Sequence, residues 1–211
     1  MALSLVCVRA SAQQAQPTTP PARVAIKAGR LVNVRNGEVT SNVFVLIEGE
    51  RIVSVSRTAP ADVPIIDLSN KTVLPGLIDC HAHVLGNLKD FSPASSLRMS
   101  SPQAALWGER NLQVWLAHGF TALRDACEGD QFYGQLALRD SIKSGLIKGP
   151  RMVSAGQCLS VTGGHGDADF LAPDQALPVR PNIADTVDGI SSAVRRDIKY
   201  GADWIKLMAT G

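Results

Sequence analysis

The sequence predicts an α/β fold: a small β layer followed by a parallel sheet in which strands and helices alternate. Three observations point there. Short β-branched runs with hairpin turns fill residues 24–73. Strand-like and helix-like segments alternate from residue 74 onward. Each of the three helical patterns ends at a glycine.

Residues 1–23 stand apart from this pattern. "ALSLVCV" is a short apolar segment and "RASAQQ" follows with small residues at Ala10 and Ala12, the later half of a secretory signal with cleavage expected after Ala12. The Pro- and Gln-rich "QQAQPTTPPA" has little to bury and reads as a disordered leader. The protein is therefore expected to be exported, to the periplasm or beyond, and cytoplasmic if the segment is no signal. No stretch reaches the ~18–20 apolar residues of a membrane span, so no membrane partner is expected after signal removal.

Residues 24–73 form the β layer. "VAIKAGRLVNV", "NVFVLIEGERIVSVS" and "IIDLS" are strand-like, separated by "RNGE", "EGER" and "SNK". Asn36-Gly37 and Glu48-Gly49 are hairpin signals. An antiparallel layer of this size is thin and is expected to form the N-terminal part of a composite β-sandwich.

From residue 74 the strands are "LPGLIDCHAH" (74–83), "FTALRDA" (120–126), "PRMVSAG" (150–156) and "WIKLMAT" (204–210). Ser101-Pro102 opens the first helix with a cap and a proline at its first position, and Gly119 lies past its end. "FYGQLALRDSIKSG" is the second helix, closed by Gly145, and "IADTVDGISSAVRRDIKYG" the third, closed by Gly201. Long loops, 84–100 and 157–181, follow the C-terminal ends of two strands, where α/β barrels place their site loops.

Composition excludes several function classes. The net charge is +2 with charges interspersed and no Lys/Arg cluster, so nucleic acid is not an expected partner. Neither a G-x-S-x-G elbow nor a GxxxxGK[ST] phosphate loop occurs. Four scattered cysteines without a CxxC pair predict neither a disulfide framework nor a zinc knuckle. Cys80, Cys127 and Cys158 read as small buried hydrophobes.

His81 and His83, at i and i+2 beside a buried strand's C-terminal end, share a face and suit a divalent transition metal such as zinc. Asp79 lies two residues earlier and could orient a ligand ring. Lys206 sits in the apolar strand "DWIKLMATG", which would bury its amine. His165, among Gly163, Gly164 and Gly166 on a flexible loop, can approach a ligand closely. His118 reads as a helix-end residue complementing the dipole. Arg124 and Asp125 either reach the site rim or pair locally.

"VLPGLIDCHAHV", "GFTALRDA", "GPRMVSAG", "SVTGGHGD" and "GADWIKLMATG" resemble the amidohydrolase superfamily, specifically the imidazolonepropionase-related branch with its Xaa-Pro dipeptidase and carboxypeptidase-like members. The resemblance runs from Val24 to Gly211. It implies that residues 74–211 are the first four βα units, the N-terminal half of a (β/α)8 TIM-type barrel that is incomplete as it stands. It also implies two divalent cations, zinc by preference, held by His81, His83 and a CO2-derived carbamate on Lys206, with hydrolysis of a C–N bond through a metal-bridged hydroxide. His165 is implied as a catalytic-site contact to the substrate carboxylate or transition state.

The implied substrates are dipeptides with a C-terminal proline or bulky residue and N-acyl amino acids, and barrels of this kind assemble as homo-oligomers. The ligands that the branch draws from later strands, two histidines and an aspartate, are missing from 211 residues, so this chain alone is expected to be an inactive fragment. Two alternatives remain at this point: a mononuclear imidazolonepropionase-like or deaminase-type hydrolase of cyclic amides, and a non-enzymatic interaction module.

Overall fold

The computed structural model describes residues 21–90, 92, 94–168, 170–175, 177 and 180–209. The signal expected at the N-terminus lies outside the described residues. The chain forms two compact units that divide between Pro75 and Gly76.

In the first unit, β1 (Arg23–Val32), β2 (Val39–Glu48), β3 (Arg51–Ser56) and β4 (Ile65–Val73) form a sheet in the order β3-β2-β1-β4. The two hairpins fall where the sequence predicts, with Gly37 and Gly49 at φ +77° and +58°. The sheet is not wholly antiparallel, however, because β4 runs parallel to β1. Residues 57–64 cross over instead of turning back as a hairpin, and "SNK", expected as a turn, continues β4 with a register shift against β1. Small and β-branched side chains make the buried part, namely Ala25, Ala28, Val43 and Val45. Ile52, Val53, Val55, Ile65 and Ile66 on the edge strands stay exposed.

In the second unit, β5 (Leu77–Ala82), β6 (Phe120–Asp125), β7 (Arg151–Leu159) and β8 (Trp204–Leu207) pair in parallel in sequence order. The crossovers are α1 (Ser101–Ala117), α2 (Gly134–Lys143) and α3 (Val187–Lys199). This is the curled parallel sheet of a partial TIM-type barrel. β5 enters beside Gly76, where a Cβ would lie 2.2–2.8 Å from three side-chain atoms of Thr121.

The helix boundaries shift slightly from expectation. Ser100 rather than Ser101 caps α1, accepting the N–H of Gln103, while Ser101 donates to Asp130 at 2.7 Å. α3 begins at Val187 behind its cap Thr186, because residues 183 and 184 are tied to Ser160 by a bridge and a 2.9 Å hydrogen bond. Gly119, Gly145 and Gly201 close the three helices at positive φ. Ala82, Val84, Leu85, Leu112, Leu123 and Leu138 form the core between β5, β6 and the helices α1 and α2. Among the described residues no helix is long and apolar enough to cross a membrane.

Candidate metal centre

Ala82 is buried in the helix-covered core, whereas His81 and His83 on either side of it are exposed. Alternation along an extended chain puts both rings on the uncovered face. The ring centroids are 5.5 Å apart at an interplanar angle of 58°. Asp79 does not orient a ring; it accepts the backbone N–H of His81 at 3.0 Å and so fixes the strand.

His83 is held by its ring. Nδ1 lies 2.7 Å from the Cys127 carbonyl oxygen. A carbonyl only accepts, so Nδ1 carries the proton and Nε2 keeps its lone pair for an outside partner. The backbone beyond is held as tightly: Glu128 Oε1 accepts the N–H groups of Val84 at 2.5 Å and Leu85 at 2.8 Å. Asn111 Nδ2 donates to the carbonyls of Val84 at 3.0 Å and Gly86 at 2.9 Å.

Glu128 and Asp125 lie beneath His83, with one atom from each of the three groups within 4.8 Å of the others. Burial pushes Asp125 up to about 6, against the pull of the Ser154 hydroxyl that donates to it at 2.5 Å. Burial, and then the neighbouring Asp125 charge, hold Glu128 well above the usual carboxylate range. Asp125 Oδ1 is buried without a hydrogen-bond partner. Burial thus disfavours the charged form at both carboxyls.

Arg124 and Asp125 form no local ion pair, because successive strand residues point to opposite faces. Arg124 is exposed. It donates to the Cys80 carbonyl at 2.7 Å, and its guanidinium lies 5.0 Å over the Trp204 ring. That stacking puts Arg124 and Trp204 on one face of the sheet, and Lys206, two residues on, shares it. Lys206 is half-buried rather than enclosed; among the described residues β8 is an edge strand, with a neighbour on one side only. The two histidines and the lysine thus share the open face, at the C-terminal end of β5 and on β8, the outermost strands.

His165 is exposed and lines a cleft of about 310 Å³ with His83, Cys158, Arg180 and Met208. Its loop is tethered by side-chain hydrogen bonds. Gly163 N–H donates to Asp167 at 3.0 Å, Gly166 N–H to Ser160 Oγ at 3.2 Å, and Thr162 bonds Asp185 through both N–H and hydroxyl. The Gly163 N–H is the largest influence holding the Asp167 carboxyl below its usual range. His118 caps α1 as expected, its Nδ1 2.8 Å from the Val114 carbonyl.

The cysteine reading needs correction. Cys127 and Cys158 form a disulfide, and Cys80 is an exposed free thiol. Their separation of 31 residues spans an entire βα unit and gives no local signal. The bond arises because β6 and β7 are parallel neighbours and both cysteines lie near their C-terminal ends. Cys127 adopts φ +150°, a backbone region unfavourable to a side chain. Glu128 and Asn111 were likewise invisible beforehand; the one sequence hint is a carboxylate among the small residues of "RDACEGD".

The donor set fits a divalent transition metal: two imidazoles on one open face, one of them with its tautomer fixed by a backbone carbonyl. Asp125 and Glu128 are buried, and one oxygen of each already accepts from Ser154 or from Val84 and Leu85.

Fold and site together define a barrel-type parallel α/β protein with two histidines at the C-terminal end of its first parallel strand. The chain belongs to the amidohydrolase family, whose model matches residues 72–211. It is 31% identical over 216 residues to ochratoxinase of Aspergillus niger, covering 92% of this chain and 44% of that protein. A solved prolidase complexed with N-methylphosphonate-L-proline superposes with a TM-score of 0.75 at 35% identity, over 90% of this chain and 47% of that one. A Xaa-Pro dipeptidase with methionine bound in its active site gives a TM-score of 0.74 at 28% identity, over 88% and 47%. The chain spans about half the length of these relatives.

Proposed function

We propose that these residues belong to the metal centre of a hydrolase that cleaves the amide or peptide bond of a dipeptide or N-acyl amino acid. The observation that carries this reading is the 2.7 Å contact between His83 Nδ1 and the Cys127 carbonyl, which leaves Nε2 available on the face that His81 shares. His81 and His83 would hold the metal, two zinc ions in the full centre. Lys206, as a CO2-derived carbamate, would supply an anionic bridge between them, from the same open face of the sheet as the two histidines. Divalent cations at such a centre polarise a scissile carbonyl and lower the pKa of the attacking water.

His165 faces the same cleft as His83 and would bind the substrate carboxylate, with loops after β5 and β7 shaping specificity. The prolidase relative's complex with a proline phosphonate supports a substrate with a C-terminal imino or amino acid. The Cys127–Cys158 bond supports an oxidising, exported location.

Metal analysis of the chain purified with Zn²⁺ tests the centre. Bound zinc that disappears in the His81→Ala/His83→Ala double variant supports it, and equal zinc in both proteins overturns it. Hydrolysis of Xaa-Pro dipeptides and N-acyl amino acids by the whole protein tests the substrate class.

A further inference from the structure

We propose that Glu128 is a positioning residue for the histidine pair, acting through the backbone of residues 84 and 85 and not as a metal ligand. The inference rests on the reading of His83 as a ligand and adds to it the group that aims it.

Four observations converge. Glu128 Oε1 collects two consecutive N–H groups, those of Val84 and Leu85, immediately after His83. Those donors lie past the end of β5, and no strand supplies their acceptor. Glu128 is itself fixed by its own N–H, which donates to the Gly156 carbonyl at 3.3 Å, and by a parallel bridge to Gln157. Its neighbour Cys127 presents the carbonyl that takes His83 Nδ1. One two-residue segment, 127–128, therefore sets both the ring and the backbone of the ligand, while Asn111 holds the carbonyls of Val84 and Gly86 from α1.

Burial also argues against direct ligation. Glu128 is 8% exposed and Asp125 0%, whereas the two imidazoles face solvent. The oxygen that holds the backbone, Glu128 Oε1, already accepts two N–H groups and has little lone-pair density left for a cation. What the site needs from Glu128 is an acceptor, and an amide carbonyl supplies one as well as a carboxylate does.

The two roles separate cleanly by substitution. Glu128→Gln keeps the acceptor and removes the charge; Glu128→Ala removes both. Zn²⁺ affinity of the 211-residue chain is measured by chelator competition, and the His83 tautomer in metal-free protein by long-range ¹H–¹⁵N NMR. Glu128→Gln should retain affinity within about threefold and keep the Nδ1-protonated ring. Glu128→Ala should lose affinity by about 10–100-fold, the range for groups that orient a ligand, and should show a mixed tautomer.

Loss in Glu128→Gln equal to that in Glu128→Ala overturns the proposal in favour of ligation, and a wild-type tautomer in Glu128→Ala overturns positioning itself. The tautomer is read without metal, so it also decides the question if zinc binding is abolished. His83→Ala is the control on the underlying reading: unchanged zinc affinity there means that His83 is no ligand, whatever Glu128 does.

Discussion

His83 and Cys127 are joined ring to backbone at 2.7 Å, and Cys127 is in turn joined covalently to Cys158 on β7. The aim of one imidazole just past β5 therefore depends on a bond between the ends of the next two strands. Reduction should loosen both the fold and the ring. Closing a loop of 31 residues is worth about 3–4 kcal/mol by the chain-entropy estimate. Denaturant midpoints with and without dithiothreitol, and zinc affinity under the same conditions, measure the two effects. Identical midpoints would mean that the link contributes nothing.

The core of the second unit turns on Leu112, which is fully buried on α1 within the cluster containing Leu85, Leu123 and Leu138. Leu112→Ala leaves a cavity between helix and sheet and should cost about 2–5 kcal/mol. Urea unfolding followed by far-ultraviolet circular dichroism reads this directly.

Asp197 supplies a pH dependence remote from the histidines. It is fully buried, and its Oδ1 accepts the Tyr133 hydroxyl at 2.9 Å and the Gln157 N–H at 3.3 Å. Burial outweighs those bonds and raises its pKa above the ordinary 3.8. The native state therefore keeps a proton that the unfolded chain has already lost. This contribution to stability is fully present below 3.8 and is lost as pH rises through the raised native value. Asp197→Asn, which keeps the acceptor and never ionises, should remove that downward component. The difference in unfolding free energy between the two proteins, measured from acid to neutral pH, should narrow or reverse across the window.

Lys206 should carry one CO2 in protein prepared with bicarbonate and zinc, detected by native mass spectrometry, and lose it on acidification. Lys206→Ala should lower zinc stoichiometry without unfolding the chain, since its side chain is only half-buried on an edge strand. In the whole protein, His165→Ala should raise KM for Xaa-Pro substrates more than it lowers kcat. The opposite pattern would move His165 from binding to the chemical step.

How much of this was legible beforehand depended on range in sequence. His81 and His83 announce themselves because two-residue spacing is a strand's own period, and the helix-closing glycines because a helix end is a local event. The β4 direction was not legible: parallel and antiparallel strands share one alternation, and only the length of the crossover decides. The Cys127–Cys158 bond and the Glu128 acceptor were hidden for a related reason. Each joins residues brought together by the pairing of whole strands, across separations of 31 and 44 residues. Nothing in "RDACEGD" states that its carboxylate will meet the N–H groups that follow "CHAH".

Gly76 carries a last consequence. A Cβ there would lie 2.2 Å from Thr121 Oγ1 and 2.8 Å from its Cβ, and a β-branched side chain has no rotamer that clears both. In a saturation library selected for folded, zinc-loaded protein, position 76 should tolerate as few replacements as 81 and 83. Its intolerance would persist when the selection is for folding alone, whereas that of the histidines would vanish. Three equally intolerant positions within the eight residues 76–83 would then record different demands, steric fit at the entrance and ligand chemistry at the end.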